Sequence, residues 1–355
     1  MNDYTIRKCA MSTDELKSID EIERNCEQGT GLQYYFAAKS FEQPRALKFS
    51  DSVILVTEHT KTQSIVGTVT AGIRSAKFGE GYEKIGWICS LRVMRNHRGC
   101  GLAKQMVAKL EDILRREMNC FFVYAGLSTD NTPSIILFEQ KLGYQRCYSE
   151  YWLTINVNES TRALYHNKNI ETVKLDQLET EKFLISHFSD SFMFPKDISE
   201  IRCNVFIAKM GNGEFLAVNV HHSNSIIGIA GLPDSDSDSS VELNKPLSYV
   251  GAFPFVLTAK APQSTVALFK ALMGAIIADF LENDPGFADV LFTAVDRGSN
   301  LPKEHMDAIK SSQSFLFDWG DHYCCKSLLD DDQAAAKMVQ TAKDAKFWFL
   351  DGRDL

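Results

Sequence analysis

The sequence predicts an α/β fold in two successive units, and three observations carry that prediction. The chain has 355 residues, more than the roughly 100–200 of one domain. Residues 1–157 alternate apolar strand-like runs with amphipathic helical segments. From residue 170 to 355 the same order recurs more faintly.

In the first unit a strand is expected around Tyr4–Arg7. Ser12 and Glu15 then stand at capping-box spacing ahead of Leu16, Ile19, Ile22 and Cys26, which recur at helical intervals, so a helix begins there. VILVTEH and SIVGTVTAGIR, parted by polar KTQ, read as a hairpin, and KIGWICSLRV reads as a further strand. After the glycine-bearing NHRGCGLAKQM, the residues Met106, Val107, Leu110, Ile113, Leu114 and Met118 share one face of a helix of about four turns. CFFVYAGLS is a buried strand by its apolar continuity. In DNTPSIILFEQKLGY, Asp130, Asn131 or Thr132 caps a short helix, Pro133 suits its first turn and Gly143 its stop. CYSEYWLTINV closes the unit as a strand.

Residues 158–169 are polar and aperiodic and read as a linker. Beyond them come IETVKL, a helix around Glu179–Phe188, the strands NVFIAKMGNGEFLAVNVHH, SIIGIAG and SYVGAFPFVLT, and a helix from Ser264 to Leu281. DVLFTAVD, a helix from Lys303 to Ser311 and the strand SFLFDWGDHYCCKSL complete the unit. PDSDSDSS reads as an acidic low-complexity loop; it lacks the glycine and terminal glutamate of a calcium-binding EF-hand.

Composition narrows the function classes. No signal core opens the chain, and its most apolar run, VALFKALMGAIIADFL, is interrupted by Lys270 and Asp279, so no membrane segment is expected. Nine cysteines without a C-x-x-C, and adjacent His221 and His222, predict reduced thiols, a cytoplasmic or nuclear location and no metal site. Residues 161–355 carry 27 acidic against 18 basic side chains, which argues against nucleic acid and suits a cationic acceptor, although a solvated acidic face is the commoner meaning of such an excess.

The most telling stretch sets Gly99, Gly101 and Ala103 between a strand and a helix. Helix N-termini present unpaired N–H groups and a positive dipole end, and glycines let the backbone close around phosphate oxygens. The phosphate-loop spacing G-x-x-x-x-G-K-[ST] is absent, and G-x-G-x-x-G fails because Lys104 stands where its third glycine belongs. What remains is R-x-x-G-x-A, from Arg98 to Ala103. It is followed by N-x-x-S-x-x-L-F-x-x-x-L-G-Y, from Asn131 to Tyr144.

This ordered set resembles the GNAT acetyltransferase superfamily over about residues 4–155. The stretches IDEIERNCEQG, FPKDIS and FWFLDGRDL are similar to plant Hookless-type N-acetyltransferases, longer two-part members. The resemblance implies an α+β GNAT fold in residues 1–157: a mixed, mostly antiparallel twisted sheet with helices on both faces. Residues 170–355 would form a degenerate GNAT-like partner, because AKAPQST has no paired glycines.

The resemblance also implies acetyl-CoA as co-substrate, without a metal, and a primary amine as acceptor. Coenzyme contacts would come from the main chain of Leu91 and Val93, from Arg98, Gly99, Cys100, Gly101, Leu102 and Ala103, and from Asn131, Ser134 and Phe138. Asn131 reads equally as a helix cap. An N–H near Leu91 would polarise the thioester carbonyl. Attack needs a neutral amine and hence a base; Glu27 is favoured over Glu23, Glu83 and Asp130. The position where the family carries a proton-donating tyrosine holds Phe138, so the thiolate would leave unprotonated, take a proton from water, or use another group such as Tyr124 or Tyr144, with Tyr144 also reading as a packing aromatic. Cys100 is set aside as a nucleophile, since the family transfers acetyl directly. The expected activity is N-acetylation of a small molecule or amino acid by a monomer or homodimer. Acetylation of a protein lysine or N-terminus, and acyl-CoA binding without catalysis, are the alternatives.

Overall fold

The computed structural model describes residues 3–26, 33–38, 40–42, 44–165, 167, 169–231, 246–257, 261–283, 289–294, 310, 315–345 and 349. Strand β1 (Tyr4–Lys8) precedes helix α1 (Thr13–Arg24), whose Ser12 side chain accepts the Glu15 N–H as the sequence predicts. The Glu15 carboxylate reaches past the cap to the Ala10 N–H, so only half of the expected capping box forms. Next come β2 (Gln33–Ala38), which the sequence did not announce, and the hairpin of β3 (Asp51–His59) and β4 (Ser64–Phe78). Then follow β5 (Gly81–Val93), α2 (Leu102–Arg116), β6 (Phe122–Ser128), α3 (Thr132–Ile135) and β7 (Gln145–Asn156). Helix α3 continues as a π-helical segment, Ile136–Lys141.

The expected linker contains a short helix, α4 (Glu159–Tyr165). The second part runs β8 (Glu171–Lys174), α5 (Gln177–Phe188), β9 (Cys203–Lys209), β10 (Phe215–Gly231), β11 (Pro246–Leu257), α6 (Pro262–Asn283), β12 (Val290–Ala294), β13 (Phe315–Ser327) and α7 (Asp332–Asp344). SIIGIAG is no separate strand: it prolongs β10 beyond an irregularity between His222 and Ile226. The acidic loop and most of the helix expected at Lys303–Ser311 lie outside the described residues.

The strands form one sheet in the order β1-β3-β4-β5-β6-β13-β7-β12-β11-β10-β9-β8, with β2 paired to β10. Among the described pairs only β5–β6 and β11–β12 are parallel. Strand β13 lies between β6 and β7, and β7 pairs in turn with β12, so each half is completed by a strand of the other. The boundary at 158–169 separates the chain but not the sheet.

Alternation along the strands sorts the core. Val53, Leu55, Ile88, Val123 and Leu127 bury one face beneath α2 and α3. Ile54 and Val56 face the other side, under Leu16 and Ile19 of α1. On that side Trp87, Tyr124, Trp152, Phe188, Phe192, Val205 and Val339 form a core shared by both halves. Helix α6 is long and apolar enough to cross a membrane by length and composition alone, but Leu268, Phe269, Leu272, Met273, Ile276 and Ile277 are fully buried against the second half. The expectation of uniformly reduced thiols is corrected: Cys147 on β7 and Cys325 on β13 form a disulfide, with Cα atoms 6.6 Å apart.

Candidate active site

Strands β5 and β6 pair in parallel only from Ile85–Phe122 to Ile88–Ala125. Beyond that point β6 keeps β13 as its neighbour, and β5 leaves it. The departure coincides with a bulge. Thr70 pairs with Cys89 and Thr68 with Arg92, so Ser90 and Leu91 together oppose Val69. Ser90 adopts a positive φ of 51°, a left-handed conformation costly for a residue with a Cβ. The bulge bends β5 at the point where its pairing with β6 ends, so main chain beyond Ile88 is not tied to β6 among the described pairs.

The glycine loop lies at the end of the same strand. Gly99 and Gly101 have φ of 83° and 73°, which explains the glycine requirement at both positions. A Cβ on Gly99 would meet no heavy atom within 4 Å, so open space lies above the loop. Gly101 is the N-cap of α2; no side chain caps this helix, and its first turn has no acidic residue. Its leading N–H groups and dipole therefore face that space with Arg98 and Cys100 exposed beside them. Leu102 is buried and anchors the turn. Ala103 continues the first turn. A pyrophosphate fits such a cradle.

The remaining predicted coenzyme residues divide. Leu91 and Val93 are half-buried, pack against the α2-side core and offer main chain: the Leu91 carbonyl accepts Arg92 Nη1 at 3.1 Å, the Val93 carbonyl Arg98 Nε at 2.9 Å. Asn131 caps α3, its Oδ1 accepting the Ser134 N–H at 3.2 Å, which places both residues just past the end of β6. Phe138 is corrected to a core residue. It is 2% exposed and meets Tyr144 edge-on at 4.9 Å, because the π-helical turn directs it beneath the sheet.

Neither substitute proton donor survives as one. Tyr124 is fully buried, pairs with Trp87 before the strands part, and its hydroxyl accepts Arg74 Nη2 at 3.0 Å. Tyr144 donates to Glu111 Oε1 at 2.8 Å, and burial, followed by the neighbouring Glu111 charge, raises its pKa well above the ordinary value. Burial also pushes the Cys9 thiol up to about 11 and those of Cys120 and Cys324 up to about 12, so these three are no thiolate nucleophiles at neutral pH.

Of the candidate bases, Glu27 lies outside the described residues. Glu83 sits near the start of β5, far along the strand from the bulge. Asp130 accepts the Ser128 hydroxyl at 2.6 Å beside the end of β6. Glu23 is buried near the end of α1 and accepts Arg92 Nε at 3.0 Å, one residue past Leu91. Sequence reasoning missed Ser90 and Arg92. An arginine inside the apolar strand WICSLRV was the signal for the second; nothing local marks the first.

A profile of the Acetyltransferase (GNAT) family matches residues 16–144, the span that contains the bulge, the gap and the cradle. Over that span, about a third of the chain, the sequence is similar to the family. Two curated relatives come from Arabidopsis thaliana. "Probable N-acetyltransferase HLS1" is 24% identical over 58% of this chain and 54% of its own length; "Probable N-acetyltransferase HLS1-like" has the same identity and coverage. The chain thus spans about half the length of these relatives. In fold it is similar to Saccharomyces cerevisiae N-myristoyltransferase with bound myristoyl-CoA and inhibitors, at TM-score 0.55 and 11% identity over 92% of this chain and 80% of that one. A tandem GNAT protein from the clavulanic acid biosynthesis pathway matches at TM-score 0.53 and 11% identity, covering 93% of this chain and 100% of that one. At such identities the likeness concerns architecture: a mixed, mostly antiparallel sheet in two GNAT-like halves.

Proposed function

We propose that the chain is an acetyl-CoA-dependent N-acetyltransferase that passes acetyl directly to a primary amine of a small molecule or an amino acid. The parting of β5 from β6 beside the glycine cradle carries this reading. The coenzyme arm would run in that gap along Leu91–Val93, with its pyrophosphate on the N–H groups from Gly99 to Ala103 and its middle beside Asn131 and Ser134. The bulged backbone at Ser90–Leu91 would then donate one N–H to the thioester oxygen, and a single such donor is worth about 10²–10³ in rate. With Tyr124, Tyr144 and Phe138 all held in packing, the leaving thiolate takes its proton from water. A coenzyme thiolate is a moderate base, so this slows the reaction without forbidding it.

The burial of Phe138 also favours a second reading, an acyl-CoA-binding protein that does not catalyse. One experiment separates the two. Thiol release from acetyl-CoA is followed across amino acids, polyamines and basic peptides, with calorimetric acetyl-CoA binding in parallel. Acceptor-dependent release supports the enzyme and reveals its acceptor class. Tight binding without release on any acceptor supports the binder, and a repeat with longer acyl-CoA donors tests acyl length.

A further inference from the structure

Glu23 is the least explained group near the reacting centre. Its side chain is 8% exposed, yet only one carboxylate oxygen is used: Oε2 accepts Arg92 Nε at 3.0 Å. The other, Oε1, is buried and has no hydrogen-bond partner among the described residues. A buried carboxylate oxygen without a donor is costly, and native structures seldom leave one so. Because an ionised carboxylate is acceptor-only, what belongs there is an N–H or O–H donor.

Its place in the fold says which donor. Arg92 also gives Nη1 to the Leu91 carbonyl at 3.1 Å, and the neighbouring Cys26 thiol lies 3.8 Å from the Val93 carbonyl. The end of α1 is thus fastened over the part of β5 that follows the bulge. A thioester carbonyl held by the Ser90–Leu91 backbone would have Glu23 beside it, on the α1 side of the sheet. The chain's net charge of −8 draws cations toward it.

We propose that Glu23 Oε1 is the binding site for the acceptor nitrogen and that it selects a protonated primary amine; this rests on the acetyltransfer reading above. Arg92 holds one oxygen and the other is left to the substrate. The ammonium, hydrogen-bonded to Oε1, gives one proton to water and its lone pair attacks the thioester carbonyl carbon. The C–N bond forms, the nitrogen loses its second proton to water, the C–S bond breaks and sulfur departs with the bonding pair as thiolate. Glu23 holds the nitrogen and takes no part in the proton transfers.

The test uses the full chain, the variant Glu23→Gln and two acceptors: ethylamine, a cation at neutral pH, and hydroxylamine, which is neutral there. Thiol release gives kcat and KM for each; calorimetry gives the acetyl-CoA Kd, and a thermal melt checks folding. Loss of a charge-assisted hydrogen bond should raise the ethylamine KM by about tenfold or more. Hydroxylamine kcat/KM should stay within about threefold, since a neutral acceptor gives up no ion pair. Equal loss on both acceptors would mean that Glu23 only supports the strand, and unchanged values on both would remove it from the acceptor site; either result overturns the proposal. If Glu23→Gln fails to fold, Glu23→Gln with Arg92→Gln removes both charges and is read the same way. A wild-type protein that binds acetyl-CoA and acetylates neither amine would instead overturn the acetyltransfer reading itself.

Discussion

Among the described residues each half contains one parallel strand pair of four residue pairs, and only the first is followed by a loop with two glycines ahead of its helix. In the first, β5 and β6 pair over Ile85–Ile88 and separate; in the second, the described pairs of β11 and β12 run over Tyr249–Ala252. Each is followed by a helix, α2 or α6. What differs is the entry to that helix: Gly99 and Gly101 at positive φ before α2, AKAPQST before α6. The architecture is repeated and the loop is not, so on the proposed reading function belongs to a six-residue loop and not to the fold itself. Strand exchange adds a second lesson. The first half borrows β13 and lends β7, so the second half has a structural role in completing the first.

That comparison can be broken most severely by cutting the chain. Residues 1–157 alone would lack β13, leaving the facing edges of β6 and β7 unpaired and Trp152 without its shared core. The fragment is expected to show no cooperative melt by circular dichroism, and co-expression with residues 158–355 is expected to restore one. A fragment that melts cooperatively on its own would make the exchange a docking of two finished domains.

The cradle comes next. Gly101→Glu puts a Cβ at a φ of 73° and a carboxylate in front of α2. Acetyl-CoA affinity should fall at least about a hundredfold, because two or more charge-assisted hydrogen bonds of ~1.5–3 kcal/mol each are lost. Gln263→Glu, at the corresponding exposed start of α6, should leave that affinity unchanged by calorimetry. Equal effects from the two substitutions would mean that both helices bind phosphate and that the halves are functionally alike.

A smaller effect tests the seam. Cys147 and Cys325 close a loop of sequence separation 178 between the exchanged strands. Cys147→Ser should lower the stability of the oxidised protein by about 2–4 kcal/mol. In a denaturant titration with reductant present the variant and the wild type should coincide. A loss that persists under reducing conditions would assign the effect to packing of Cys147 instead of to the bond.

How far these regions were legible in the sequence follows from the range of the forces involved. The Ser12 cap, the α2 stripe and the glycine turn ahead of α2 are local, since each is decided by residues a few positions apart, and each was readable. Phe315–Ser327 reads as a strand from its own residues, but that it pairs with both β6 and β7 depends on contacts nearly two hundred residues away. No periodicity encodes that choice. β2 was missed for the same reason: its pairing with β10 is entirely long-range. The R-x-x-G-x-A pattern from Arg98 to Ala103 is visible in the sequence itself, whereas Ser90 takes its positive φ from the surrounding sheet. Tyr124 and Phe138 look like available aromatics until burial is known.

The smallest effects concern the pair that replaces the expected proton donor. Phe138→Tyr places a hydroxyl where the ring is 2% exposed, so it should destabilise the fold by about 1–3 kcal/mol and leave turnover unraised. A faster enzyme would mean that the ring leaves the core when coenzyme binds. Its neighbour Tyr144 is smaller still in consequence: Tyr144→Phe removes the 2.8 Å bond to Glu111 and should cost about 1 kcal/mol at neutral pH. The sign of its pH dependence is fixed by burial. The folded protein holds the Tyr144 proton more tightly than the unfolded chain, so the native state loses stability as pH rises past about 10, where the unfolded tyrosine ionises first. Denaturant titrations at rising pH should therefore bring the two proteins together, with the wild-type advantage shrinking above that point. An advantage that instead grows with pH would require Tyr144 to be bound as a phenolate, against both its burial and the carboxylate beside it.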